Sequence, residues 1–267
     1  MIKYVALISY LGTDFLGWQR QKIAPNSVQE ILEKALLRMT GEKVSCVASG
    51  RTDSGVHAIG QVVHFVLRNK EWEPYKLHRG LNGILPKSIR VLALQPVRIE
   101  FHSQRSALKK QYSYYFQQGP CAIPHFEPLT RWINKPLDLD AMRRGLEVLV
   151  GQHDFKSFQA SGAKPGPTVR QILEAEVTFE QLPFPFTGFL DQSAGLVRIR
   201  IIGTGFLKQM VRGIAGTLLQ IGDGRRPSTC MQEILDSKDR DLVGPTAPAR
   251  ALWLERVWYP EEFKLEW

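Results

Sequence analysis

The sequence predicts an α+β protein made of two tandem ferredoxin-like βαββαβ domains, residues 1–106 and 107–267. The two domains are expected to share one broad, mostly antiparallel sheet with helices on one face. Three observations carry this expectation. Apolar spacing switches between a period of two and a helical period in the order β-α-β-β-α-β through the first half. The same order recurs more loosely in the second half. The 267 residues suffice for two ordinary domains, and 43% hydrophobic against 23% charged residues specifies a packed core rather than disorder.

In the first half, IKYVALISY at 2–10 is rich in strand-forming residues. Ser27 followed by Glu30 forms a capping-box signature, in which each side chain satisfies a free backbone N–H of the other. Behind it Val28, Ile31, Leu32, Ala35, Leu36 and Met39 fall at helical spacing, and Gly41 ends the run. Two short strands follow at 44–49 and 61–67. A second helix over 75–84 puts Leu77, Leu81 and Ile84 on one face, and a strand at 88–97 closes the half.

The second half opens with a strand at 111–117. The stretch LDLDAMRRGLEVLVG reads as a helix whose acidic first turn suits its dipole. Residues 171–179 alternate, with Leu173, Ala175, Val177 and Phe179 expected on one side. Residues 196–203 alternate as well, which sets Arg198 and Arg200 opposite Val197, Ile199 and Ile201. FLKQMVRGIAGTLLQIG is a mostly apolar helix in which Gly213 and Gly216 allow close approach, and LWLERVWY at 252–259 is a last strand. The proline-rich 119–130 segment and SGAKPGP at 161–167, basic at Lys164, read as loops.

Charge and cysteine usage narrow the function. There are 35 Lys and Arg against 26 Asp and Glu, a net +9 that suits a polyanionic partner. Cys46, Cys121 and Cys230 are scattered, which argues against a disulfide framework or a thiolate zinc site. The histidines show no ligand spacing. No run of about 18 apolar residues is present, so no membrane span is expected. The N-terminus reads as a strand rather than a signal peptide. A protein of a reducing, cytoplasmic compartment is the expectation.

Chemistry concentrates in SGRTDSGVHAIGQVVHF, residues 49–65. Asp-Ser-Gly is ordinary turn chemistry. Arg51, Thr52, Asp53 and His57, however, pack more ionisable and hydrogen-bonding groups into one loop than a turn requires, and loops on a rigid sheet are common places for catalysis. His57 reads as a hydrogen-bonded loop histidine or a helper. Gly203-Thr204-Gly205 and Gly222-Asp223-Gly224 lack the rest of a nucleotide fingerprint and read as turns.

GRTDSGVHA resembles the signature of the tRNA pseudouridine synthase I family. The resemblance extends along the chain through YLGTDFLGWQRQ, SVQEILEKAL, LNGILPKSI, FHSQRSALKKQYSYYF, HDFKSF, TVRQI, GFLKQMVRGIAG and TAPARALWLERV, in that order. It implies an isomerase that converts uridine to pseudouridine in the tRNA anticodon arm. It also implies a homodimer that binds tRNA and requires no metal or small-molecule cofactor. By the same resemblance Asp53 is the catalytic aspartate, Tyr112 stacks on the target base and Arg212 pairs with the aspartate. Arg51 and Lys110 are expected at the RNA.

The clusters Arg105–Lys109–Lys110, Arg198–Arg200–Lys208–Arg212 and Arg225–Arg226 read either as a solvated face or as RNA-facing stripes, and the resemblance favours the second. Gln104 and Lys110 stand where relatives usually carry arginine, and Ala251 where glycine is common; these departures bear on substrate preference. Two other classes fit less well. One is a non-catalytic tRNA binder. The other is an aspartate glycosidase, which normally needs a second carboxylate that the signature loop lacks.

Overall fold

The computed structural model describes residues 1–21, 26–163, 165–183, 186 and 194–267; Lys164 lies outside them. The chain is a mixed α+β protein with mostly antiparallel strand pairing and, among the described residues, five α-helices. It divides into two compact units, one of residues 1–110 with 253–267, the other of residues 111–252.

The first unit contains β1 (Ile2–Tyr10), α1 (Val28–Thr40), β2 (Val47–Ala48), β3 (His57–Leu67), α2 (Pro74–Ile84) and β4 (Ile89–Val97). β1 lies between β4 and β3, antiparallel to both, and β2 pairs antiparallel with β3 at Val47↔His64. Tyr4, Val5, Ile8, Val62, Val63 and Phe65 fill the core with Leu32 and Leu36 of α1 and Leu77 and Leu81 of α2. Burying a side chain of this size contributes roughly 1.5–3 kcal/mol.

Helix α1 starts and stops where the sequence puts it. Ser27 Oγ accepts from the Glu30 N–H at 3.3 Å, and Gly41 ends the helix at φ 74°. The reciprocal half of the box differs: the Glu30 carboxylate accepts from the Asn26 N–H instead of Ser27 and pairs with Lys34 at 2.8 Å.

The strand expected over 44–49 shrinks to two residues, because the Cys46 N–H is given to the buried Glu33 carboxylate at 3.0 Å rather than to a ladder. The next strand is longer than expected. It begins at His57, since the Asp53–Val56 turn, closed by Val56 N–H to Asp53 O at 3.1 Å, feeds directly into it. The final strand, β10 (Leu252–Trp258), pairs parallel with β3 at Trp253↔His57 and so builds the first unit's sheet, although it comes last in the chain.

The second unit contains β5 (Lys109–Gln118, whose first two residues belong to the first unit), β6 (Arg131–Ile133), α3 (Leu139–Glu147), β7 (Gly151–Asp154), β8 (Val169–Gln181), β9 (Gly195–Gly203), α4 (Met210–Gly222) and α5 (Cys230–Ser237). Its strand order is β5-β9-β8-β7, with β6 parallel to β5. Val197, Ile199 and Ile201 are buried on one face of β9, as the alternation predicts.

The alternation predicted for β8 does not hold throughout. The register shifts between Ile172 and Glu174, so Ile172 is buried and Leu173 is turned outward. A bulge adds one unpaired residue and flips the faces on either side of it. Helix α4 also starts later than its apolar pattern suggests. Gln209 stands at φ 60°, a left-handed conformation that keeps Phe206–Gln209 outside the helix. Gly216 allows the predicted close approach: a methyl there would overlap the Pro245 carbonyl oxygen. Among the described residues no helix is long and apolar enough to cross a membrane.

Candidate active site

Asp53 lies half-buried in the loop between β2 and β3, and a second loop, residues 11–18, holds that loop from outside. Trp18 N–H donates to Thr52 O at 3.1 Å, and Ser54 Oγ donates to Phe15 O at 3.1 Å. The contact is so close that it needs glycines. Gly17 stands at φ 87°, and a Cβ on it would meet Thr52 O at 2.7 Å and the Asp53 carbonyl carbon at 3.0 Å. A methyl on Gly12 would overlap the Val56 carbonyl. The outer loop is itself anchored by buried Phe15 and Trp18, and its Gly17 and Trp18 carbonyls accept from Val28 and Gln29 at the start of α1.

A buried polar chain holds the loop from inside. Tyr10 OH shares a 2.8 Å hydrogen bond with Thr52 Oγ1. Gln61 accepts from Ser49 Oγ at 2.6 Å and donates to Gly50 O at 2.9 Å. Burial pushes the Tyr10 phenol up to about 12, so it stays a neutral hydrogen-bonding group. Both sides of Asp53 are therefore tied by hydrogen bonds, most of them to buried groups.

His57 is corrected from loop residue to strand residue. It is fully buried at the start of β3, its Nδ1 accepts from the Gly12 N–H at 3.0 Å, and its ring stacks on Trp253 at 4.2 Å. An Nδ1 that accepts from a backbone amide carries no proton, so the imidazole is the Nε2–H tautomer. Its position fixes the two loops to each other.

The other expected residues divide between the units. Arg51 is exposed on the Asp53 loop. Lys110, expected at the RNA, donates from Nζ to Ser49 O at 2.6 Å, directly before that loop, and its burial lowers its pKa to about 8. It props the base of the loop. In the second unit, Tyr112 is buried on β5 with its ring edge-on to Phe206, centroids 5.1 Å apart at 78°. Arg212 lies in the first turn of α4, where the helix dipole disfavours a cation. It is held there by Ala247, whose carbonyl accepts from Arg212 Nε at 2.8 Å and whose N–H donates to Arg212 O at 3.1 Å.

The arginine stripe of β9 does not present bare charge. Arg200 bonds Glu176 at 2.9 Å and Glu174 at 3.0 Å, and Arg198 lies 3.5 Å from Glu180 and donates to Ser113 Oγ. Alternation placed these arginines on the correct face, but it could not show that β8 sets carboxylates opposite them. Arg225 is likewise paired with Asp223. Sequence reasoning missed the framing roles of Tyr10, Gln61 and Phe206. The paired glycines of YLGTDFLGW were the available signal for the outer loop.

A family model described as tRNA pseudouridine synthase matches residues 6–104 and 146–260. The chain is 39% identical over 260 residues to tRNA pseudouridine synthase A of Streptococcus thermophilus (strain CNRZ 1066), covering 97% of this chain and 100% of the relative. It is 37% identical over 261 residues to tRNA pseudouridine synthase A of Bdellovibrio bacteriovorus, covering 96% and 94%. It is 38% identical over 267 residues to tRNA pseudouridine synthase A of Polynucleobacter asymbioticus, covering 97% and 92%.

Proposed function

The chain belongs to the tRNA pseudouridine synthase family, and on that premise we propose that it isomerises uridine to pseudouridine in the anticodon stem-loop of tRNA, with Asp53 as the catalytic carboxylate. The observation that supports the role of Asp53 is its frame. A carboxylate on a short loop is clamped by backbone bonds and close-packed glycines on one side and by a buried polar chain on the other. Catalytic groups need such fixed geometry, because a displacement of about 1 Å can cost ~10²-fold in rate.

The target uridine must leave its stack before any side chain reaches its glycosidic bond. That costs a few kcal/mol, of which stacking on an aromatic ring such as Tyr112 returns roughly 1–3 kcal/mol. The N1–C1′ bond then breaks, the uracil turns, and C5 bonds to C1′. C5 gives up its proton and N1 ends protonated, so the product is an isomer of the substrate. An ionised aspartate serves as the nucleophile or stabilises the electron-poor centre. Arg212 is proposed as the positively charged partner of that carboxylate in the reaction. Arg51 meets the RNA, while Lys110 acts on the loop through Ser49. A homodimer of two-domain, ferredoxin-like subunits in the cytoplasm completes the reading. The βαββαβ order of the first unit supports its fold.

The test is pseudouridine formation in an unmodified tRNA transcript, mapped by nucleotide, for the wild type and Asp53→Asn. The wild type alone should modify the anticodon arm, and the variant should fall by at least about 10³-fold while binding tRNA normally. Equal tRNA binding with no product from either protein would leave a binding protein. Release of free uracil would make it a glycosidase.

A further inference from the structure

The ladder between β2 and β3 stops short of the Asp53 loop, and one side chain takes over where it ends. Val47 and Ala48 pair with His64 and Val63, and Ser49 N–H donates to Val62 O at 2.8 Å. The next position on β3 is Gln61, whose backbone is paired with Ile8 of β1. Its side chain, fully buried, bonds the loop.

The orientation of that amide is fixed by what it meets. Gly50 O can only accept, so the amide end 2.9 Å from it is Nε2, and Oε1 accepts from Ser49 Oγ at 2.6 Å. The same Nε2 lies 3.5 Å from Tyr10 OH, which is joined to Thr52 Oγ1. Of the four residues before Asp53, three are therefore bonded from inside, namely Ser49, Gly50 and Thr52, while the fourth, Arg51, is exposed. Lys110 Nζ on the Ser49 carbonyl and the Tyr259 side chain on Ser49 hold the same end of the loop.

A buried amide is costly to desolvate unless its donor and acceptor are both matched. Where β3 needs only packing it uses Val62, Val63 and Phe65. The polar choice at Gln61 does something packing cannot: it settles which loop residues turn inward, and so the direction in which Asp53 leaves the loop. A buried network with its partners supplied is rigid as well as specific.

We propose that Gln61 is a positioning residue for the reaction, acting on Asp53 through Ser49, Gly50 and the Tyr10–Thr52 pair. The catalytic part of this statement rests on the role proposed for Asp53 above; the hold on the loop rests on the geometry alone.

The experiment compares the wild type with Gln61→Met and Gln61→Glu in pseudouridine formation at saturating tRNA, in urea unfolding and in limited tryptic cleavage after Arg51. Gln61→Met keeps the bulk and loses the fork. Its kcat per folded molecule should fall by about 10²-fold, with far less change in tRNA affinity. Cleavage after Arg51 should accelerate more than cleavage elsewhere in the chain. Gln61→Glu supplies a readout that a merely structural role would not move. Its ionised form sets a carboxylate against Gly50 O, whereas its protonated form can donate there as the amide does, and burial raises the pKa of such a carboxyl. The ratio of its kcat to that of the wild type should therefore rise as pH falls from about 8 to about 5.5. Tyr10, Lys110 and Tyr259 around the amide, and Arg51 and Asp53 on the loop, are common to both proteins, so the ratio removes their own titration.

A Gln61→Met enzyme that loses activity only in proportion to its unfolded fraction overturns the proposal. So does a Gln61→Glu ratio that is low and flat with pH. A wild type that binds tRNA but makes no pseudouridine defeats the isomerase reading, and cleavage after Arg51 then judges the hold on the loop by itself: unchanged cleavage in Gln61→Met defeats that too.

Discussion

Each unit holds its candidate residue by pressing a glycine against a backbone carbonyl, yet the two devices differ in what surrounds them. In the first unit Gly17 meets Thr52 O, and both partners are loops whose shape depends on long-range hydrogen bonds. In the second, Gly216 of α4 meets the Pro245 carbonyl, and one partner is a buried helix with its own hydrogen-bond ladder. A loop can shift by a fraction of an ångström without unfolding anything. A helix packed on all sides cannot, because interiors are close-packed. The same chemical change should therefore cost position in the first unit and stability in the second.

Alanine at each glycine is the most direct way to break that comparison. Gly17→Ala demands a left-handed alanine and a shift of the Thr52–Asp53 backbone. Pseudouridine formation should fall by about 10²-fold, with far less change in the urea midpoint. Gly216→Ala should do the reverse. Overpacking of this kind costs ~1–3 kcal/mol, a loss of several degrees in Tm, with the rate per folded molecule nearly preserved. Equal losses of activity and stability in both variants would erase the distinction.

A smaller effect sharpens the account of the first frame. His57→Leu leaves the Gly12 N–H without its acceptor, at a cost of about 1–2 kcal/mol, and loosens the outer loop. His57→Asn, which can offer an oxygen to the same N–H, should recover part of kcat. If both variants lose kcat equally, the hydrogen bond is not what positions the loop.

The smallest expected effect is a difference in acid sensitivity. Burial, together with the charges of His102, Lys3 and Arg105, lowers the His64 pKa from 6.5 to about 4. Its Nδ1 accepts from the Ser103 N–H at 3.1 Å, tying the segment after β4 to β3. Because the folded pKa lies below the unfolded one, the unfolded chain binds the proton first. The stability this neutral histidine contributes is complete above pH 6.5 and is lost as pH falls towards about 4. Hydrogen exchange should show amides of the first unit losing protection across that window before those of the second, and His64→Asn should flatten the difference.

Much of this was legible in the chain. Ser27 and Gly41 mark the limits of α1 because a helix end is settled by residues within one turn of it. Val197, Ile199 and Ile201 reveal the buried face of β9 because side chains alternate along any strand. Asp53 stands out because ionisable groups crowd its loop. The same local reasoning failed at Leu173, where a bulge reverses the faces, and at Phe206–Gln209, where one left-handed residue delays a helix.

The sequence by itself determined the elements, the signature loop and the family, since each is written in a short window or a run of ordered motifs. Only the tertiary structure decided what each polar group faces. Arg200 sits opposite Glu176 because β8 and β9 pair in one register, and Arg256 sits on Trp258 because of the local course of β10. Lys110 reaches Ser49 because the start of β5 passes the foot of the loop. Charge is a property of the residue, but whether that charge is spent depends on a partner many residues away, and chain folding alone selects it.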